Sequence, residues 1–326
     1  MTQQLVHSFH RATRIDGAPE PYDTAHVTIY YPAGEGDRVD AVGTRPVAIT
    51  FGRLPVVILL PGMNTDLTYY RWLAIDLARR GFAVLSSSLV SEVPPNTYGI
   101  TPGVDVSAIK PDTFGTKPVG RALAALLRMA AALDAEGPLA GALDVHNVAL
   151  VGHSAGGTVA LESASAAFFP QVKAVVSYAS HTMASTVFGW PVGTVLPLSG
   201  DAAVMLFSGT KDGLVAASAR WYGEEGERVD PIARTFETLP ATERSAGSWL
   251  LEIEGANHFS VLQPQDGLWP RADEDWEATL SAEEAEDFMG EAIGLFLQQH
   301  LRADESAAAP LAALIAATTF VTAQSR

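Results

Sequence analysis

His146-Asn147-Val148-Ala149-Leu150-Val151-Gly152-His153-Ser154-Ala155-Gly156-Gly157 is the stretch whose reading decides the fold. Its apolar run at 148–151 predicts a buried strand. Residues 155–168 have helical composition. Between strand and helix a serine stands with glycine two places before it and two after. A turn that lifts a hydroxyl above a sheet edge strains its backbone and leaves room only for small neighbours. In that arrangement the N–H of Ala155 points toward any oxyanion formed at the serine, and the helix N-terminus adds a positive dipole end. Ser154 is therefore the candidate nucleophile, on a turn of the nucleophile-elbow kind.

Working outward, strand-like and helix-like segments alternate, which predicts a mostly parallel sheet covered by helices. Upstream, 25–31 alternates like an outer strand, and Pro55-Val56-Val57-Ile58-Leu59-Leu60 reads as a central one. A helix is expected over 68–80, closed by Gly81, followed by a strand at 82–85. An irregular stretch covers 88–117, and 119–134 reads as helix. Downstream, strands are expected at 172–178, 202–207 and 248–253. An apolar loop spans 181–200, and an amphipathic helix lies at 281–300. The alanine-rich tail, 303–326, reads as a docked helix or a contact between copies of the chain.

Ser154 needs a base. Of the eight histidines, His7, His10 and His26 precede the sheet core. His146 lies at the wrong end of its strand, His153 is the turn's own neighbour, and His300 belongs to the late helix. His181 and His258 remain. His258 follows the strand at 248–253, where a base falls if the chain order is nucleophile, acid, histidine; His181 is read as a pocket residue. An imidazole in that role needs a carboxylate to hold its tautomer. Asp212, in Ser208-Gly209-Thr210-Lys211-Asp212-Gly213 after the 202–207 strand, is preferred over Asp201 and Glu254. A second oxyanion donor is expected from Pro61-Gly62-Met63-Asn64, through the N–H of Met63.

The chain has 37 acidic and 21 basic residues, a formal charge of −16. That charge repels phosphate backbones, so no nucleic-acid partner is expected, and it favours a neutral or cationic substrate. There are no cysteines, which removes disulfides, thiol catalysis and thiolate metal sites. No His/Asp/Glu cluster has ligand spacing, so no metal is expected. No signal peptide is visible at Met1-Thr2-Gln3-Gln4-Leu5-Val6-His7, and the reading is a cytoplasmic protein without a membrane span.

Over residues 25–300 the chain resembles the α/β-hydrolase superfamily, with Gly152-x-Ser154-x-Gly156, Asp212 and His258 in that family's order. Within it the chain is similar to dienelactone hydrolases, chlorophyllase-like and platelet-activating-factor-acetylhydrolase-like enzymes and cutinase-type esterases. The residues behind this are Tyr30-Tyr31-Pro32, Pro61-Gly62, Leu77-Ala78-Arg79-Arg80-Gly81-Phe82-Ala83-Val84 and Gly152-His153-Ser154-Ala155-Gly156-Gly157. It departs from the branch in having Pro61-Gly62 where His-Gly is more frequent. The resemblance implies an α/β-hydrolase fold with a catalytic domain over 1–302. It also implies carboxylic ester hydrolysis without a cofactor.

The expected chemistry is acyl transfer through Ser154, with a small-molecule ester as substrate. Thioester, lactone or amide cleavage, perhydrolase or acyltransferase chemistry, and an inactive hydrolase-fold binding protein are the alternatives. The pocket is expected from the insertions at 88–117 and 181–199, with Asn64, His181, Met183, Phe188 and Trp190 as substrate-binding candidates and Trp269 and Trp276 as rim candidates. Met183, Phe188 and Trp190 imply an apolar substrate group. A homo-oligomer through the C-terminal tail is a further expectation.

Overall fold

A computed structural model describes residues 3–34, 43–92, 97–222 and 230–326. Residues 1–2 of the sequence read for a signal, and 93–96 of the 88–117 insertion, lie outside the described residues. The fold is α/β. Its strands are β1 (Val6–Arg14), β2 (Thr24–Pro32), β3 (Leu54–Leu60), β4 (Ala83–Glu92), β5 (Tyr98–Thr101), β6 (Leu143–His153), β7 (Val172–Tyr178), β8 (Ala203–Gly209), β9 (Trp249–Ile253) and β10 (Val321–Ser325). They form one sheet in the order β1-β2-β4-β3-β6-β7-β8-β9-β10, with β5 paired to β4. The strands from β4 through β9 run parallel; the pairings of β1 with β2, β2 with β4, β4 with β5 and β9 with β10 are antiparallel.

The described helices are α1 (Arg71–Arg79), α2 (Leu123–Ala135), α3 (Ala155–Ser163), α4 (Gly213–Tyr222), α5 (Pro231–Glu237), α6 (Ala282–Arg302) and α7 (Ala308–Ala317). They cover both faces of the sheet. Along β3, Val56, Ile58 and Leu60 face the core under α2, α3 and α5, while Val57 and Leu59 face the core under α1, α6 and α7. Burial on both faces explains why this strand is apolar throughout rather than alternating. Each such side chain contributes about 1.5–3 kcal/mol by leaving water. The start of α6 is set by a capping box between Ser281 and Glu284.

Several elements differ from expectation. β1 is an added edge strand; its polar, largely accessible side chains carry no readable apolar pattern. β4 runs on to Glu92, and β5 turns back along it, so the 88–117 insertion is partly sheet. α3 ends at Ser163, shorter than 155–168. The tail packs on its own chain: Leu311 and Ile315 of α7 are buried against α6, and β10 covers the edge of β9. The Arg326 carbonyl accepts the N–H of Gly247 at 2.8 Å, which pins the end of β10. Among the described residues no helix is long and apolar enough to cross a membrane.

Candidate active site

Parallel strands gather the loops at their carboxyl ends on one side of the sheet, and side chains from distant stretches of sequence converge there. Ser154 follows β6, Asp212 follows β8, and His258 follows β9. Ser154 Oγ lies 3.0 Å from His258 Nε2. His258 Nδ1 lies 2.9 Å from Asp212 Oδ2 and 3.1 Å from Oδ1. The carboxylate accepts from Nδ1–H, which leaves Nε2 free to accept from the serine hydroxyl. Asp212 and His258 are buried, and Ser154 is half-buried. Asp212 also caps α4, accepting the Val215 N–H at 2.8 Å.

Ser154 has φ 53° and ψ −125°, a region that costs a non-glycine residue strain. The surroundings hold it there. Its N–H donates to the Tyr178 carbonyl at 2.9 Å, and its carbonyl accepts from Ser180 Oγ at 2.7 Å. The flanking glycines are needed for close approach: a Cβ on Gly152 would strike the Gly156 backbone, and one on Gly156 would strike the Leu60 and Pro61 carbonyls. Ala155 opens α3 and lines the cavity beside Ser154. As the first helical residue, its N–H has no intrahelical acceptor.

The loop after β3 is braced from behind. Gly62 N–H donates to the Tyr70 hydroxyl at 2.9 Å, and that hydroxyl is 2.7 Å from His153 Nδ1. His153 Nε2 lies 3.0 Å from the His258 carbonyl. The carbonyl can only accept, so Nε2 carries the proton and Nδ1 accepts from Tyr70. Burial holds His153 well below the usual histidine range, consistent with one fixed neutral tautomer. The chain Gly62–Tyr70–His153–His258 thus ties the 62–64 turn, the serine turn and the histidine loop together. Met63 does not line the cavity, and its N–H makes no hydrogen bond among the described residues.

A second carboxylate completes the frame. Asp275 Oδ2 accepts the His258 N–H at 2.8 Å, and Oδ1 accepts the Gly213 N–H at 2.7 Å. It staples the loops of Asp212 and His258, and burial raises its carboxyl above the ordinary range. The sequence reading missed it, because Ala272-Asp273-Glu274-Asp275 looks like a solvated acidic run.

The hollow at Ser154 measures about 290 Å³, with Thr158, Leu214, His181 and Tyr222 in its wall. A second hollow of about 160 Å³ shares Val104, Thr158, His181 and Tyr222 with it. Met183, Phe188 and Trp190 line this inner hollow. His181 lines both, and burial lowers it to about 4, so it is neutral at pH 7. Its Nδ1 accepts the Met183 N–H at 3.2 Å, which leaves the proton on Nε2. Trp190 Nε1 donates to the Ile109 carbonyl at 2.7 Å, joining the 181–199 loop to the 88–117 insertion.

Three sequence expectations are corrected. Asn64 does not line either hollow: at φ 54° it makes the turn, its N–H donates to the Ile100 carbonyl at 2.7 Å, and its side chain packs on Gly99. Trp269 is buried against Tyr69 and Phe259 beneath the histidine loop, rather than at a rim. Trp276 is exposed and also outside the two hollows. Of the rival acids, Asp201 accepts the Ala166 N–H at 2.9 Å, and Glu254 is exposed. Glu162, in the wall of the inner hollow, went unnoticed. The spacing of Ser154, Thr158 and Glu162, each four apart, was the available signal.

Among the described residues no group of three or more His, Asp or Glu could hold a metal ion. No family model and no curated protein matches this chain.

Proposed function

We propose that this chain is a serine hydrolase of α/β-hydrolase type that cleaves small carboxylic esters through an acyl-enzyme. The observation that carries the reading is the unbroken hydrogen-bond chain Ser154–His258–Asp212, with its serine on a strained turn. Strain of this kind survives only where surrounding structure enforces it, and it concentrates at functional sites.

In this reading Ser154 Oγ attacks the acyl carbonyl while its proton passes to His258 Nε2. The developing oxyanion is held by the N–H of Ala155, which lines the cavity beside Ser154; Met63, outside that wall, is the candidate for a second donor, its N–H unpaired among the described residues. Loss of one such donor typically costs about 100- to 1,000-fold in rate. Asp212 keeps the imidazole in the accepting tautomer and stabilises its protonated form. The imidazolium then gives its proton to the departing alkoxide. Water, deprotonated by His258, attacks the acyl carbon and releases the acid, and the proton returns to Ser154. The apolar walls of the inner hollow, among them Ile109, Val119, Met183 and Leu196, suit a hydrocarbon acyl chain.

The test is labelling by a fluorophosphonate probe together with turnover of p-nitrophenyl butyrate. Wild-type protein is expected to label and to hydrolyse, and Ser154→Ala to do neither. Undiminished turnover by Ser154→Ala would refute the scheme.

A further inference from the structure

We propose that Glu162 is a specificity-determining residue of this site, receiving an amine at the far end of an otherwise apolar acyl chain. The inference rests on the acyl-transfer reading above and adds a substrate class to it.

Three observations lead there. Glu162 lies on α3, on the face that carries Thr158, and Thr158 lines both hollows. Eight residues separate Glu162 from Ser154, an axial rise of about 12 Å. The carboxyl is thus at the end of the inner hollow away from the nucleophile. Second, its surroundings are apolar: Ile109, Val119, Val159, Met183 and Leu196 share that wall. Third, Glu162 makes no hydrogen bond and no ion pair with any described residue; burial alone acts on it and raises its carboxyl to about 8.

A carboxyl in an apolar wall without a partner costs stability, and no contact of Glu162 with a described residue offsets that cost. A ligand that enters the hollow would. Among the described residues, the titratable neighbours in the same wall are His181, neutral at pH 7, and Tyr222, whose hydroxyl burial pushes up to about 12. Neither supplies a positive charge, so the position stays open for a cation from the substrate.

An amine fits the chemistry. The incoming alkylammonium displaces the carboxyl's proton, which leaves to water, and the products are a carboxylate and an ammonium paired in the hollow. No other reactant is needed. A substrate carboxylate would instead meet an acidic group in a protein of net charge −16. The glutamate side chain leans back toward the helix N-terminus, so a chain of roughly six to nine carbons spans from Ser154 to the carboxyl.

Three esters test this: p-nitrophenyl 8-aminooctanoate, 8-hydroxyoctanoate and octanoate, each with wild type, Glu162→Gln and Glu162→Leu. A site built to bond a polar group rejects the analogue that lacks it, so the wild-type kcat/KM ratio of amino ester to octanoate is expected to fall ~100-fold in Glu162→Leu. Glu162→Gln keeps the size of the side chain and should lose the amino preference while retaining the hydroxy ester. Thermal melts establish that each variant is folded. An unchanged ratio in both variants overturns the proposal.

A second arm separates this inference from the esterase reading. Calorimetry with Ser154→Ala protein compares 8-aminooctanamide with octanamide, before and after Glu162→Gln is added. Tighter binding of the amino compound that disappears with Glu162→Gln supports the assignment, even if wild type hydrolyses none of the esters and the esterase reading falls. Equal binding of the two amides overturns it, even if the esters are cleaved.

Discussion

Replacing Glu162 by glutamine should stabilise the protein, and by an amount that grows with pH. The carboxyl sits at about 8 in the fold against an ordinary 4.5, because its apolar surroundings disfavour the charge. Below pH 4.5 it is protonated in both folded and unfolded chains and imposes no charge penalty. Between 4.5 and 8 the unfolded chain releases the proton and the folded one retains it, so stability drains away as pH rises. Above 8 both are ionised and the loss is complete. A shift of about 3.5 units at 1.36 kcal/mol each sets a ceiling of about 5 kcal/mol. Glu162 retains some solvent access, and screening brings the expected difference to about 3 kcal/mol. Glutamine has nearly the same shape and does not titrate. Urea unfolding of the two proteins, followed by tryptophan fluorescence at pH 5, 7 and 9, gives the comparison. The variant's advantage should widen by about 3 kcal/mol from pH 5 to pH 9. An advantage that stays flat across that range would refute the placement of an unpartnered carboxyl in the inner hollow.

Asp212→Asn should cut kcat on p-nitrophenyl butyrate by about 10,000-fold, because an amide favours the wrong imidazole tautomer; a loss under tenfold would contradict the assigned role. Asp275→Ala strands the N–H groups of Gly213 and His258. A cost of about 2–4 kcal/mol in urea unfolding is expected, together with reduced kcat, and Asp275→Asn should recover part of each. Tyr70→Phe removes the partner of Gly62 N–H and His153 Nδ1. It should cost about 2–4 kcal/mol by the same measurement, and wild-type stability would contradict the proposed brace. His181, held to about 4 by burial, is neutral in the fold and must take up a proton when the chain unfolds in acid. Its stabilising effect is present above pH 6.5 and is lost as pH falls toward 4, so His181→Gln should flatten the acid limb of the stability profile.

Some of this was legible before any coordinates. The strands at 148–151 and 172–178 are apolar runs that central position in a sheet demands, and they stand where the chain pattern puts them. Edge strands were harder. β1 and β10 bury few side chains, so their place depends on backbone pairing to β2 and β9, which leaves little trace in residue type. The tail misled for the same reason: its alanine content predicts helix, and α7 forms, but the last five residues of pairing are decided by the open edge of β9.

The sequence by itself determined the serine turn, because everything that turn needs is local: an apolar strand, small residues at close-approach positions and a helix start. It also determined that Asp212 and His258 follow strands, since parallel strands deliver their following loops to one end of a sheet. Tertiary structure alone decided that these loops meet at hydrogen-bond distance, that Asp275 staples them, and that Tyr70 and His153 brace them from behind. The contacts of Asp275 with Gly213, of Tyr70 with His153 and of His153 with His258 join residues 62, 83 and 105 positions apart. No local pattern encodes them, because each depends on which loops the sheet order brings side by side. Glu162 stands between the two cases. Its helical spacing from Ser154 is written in the chain, but only the packing of the 88–117 and 181–199 loops against α3 turns that face into an apolar wall with one unpartnered carboxyl.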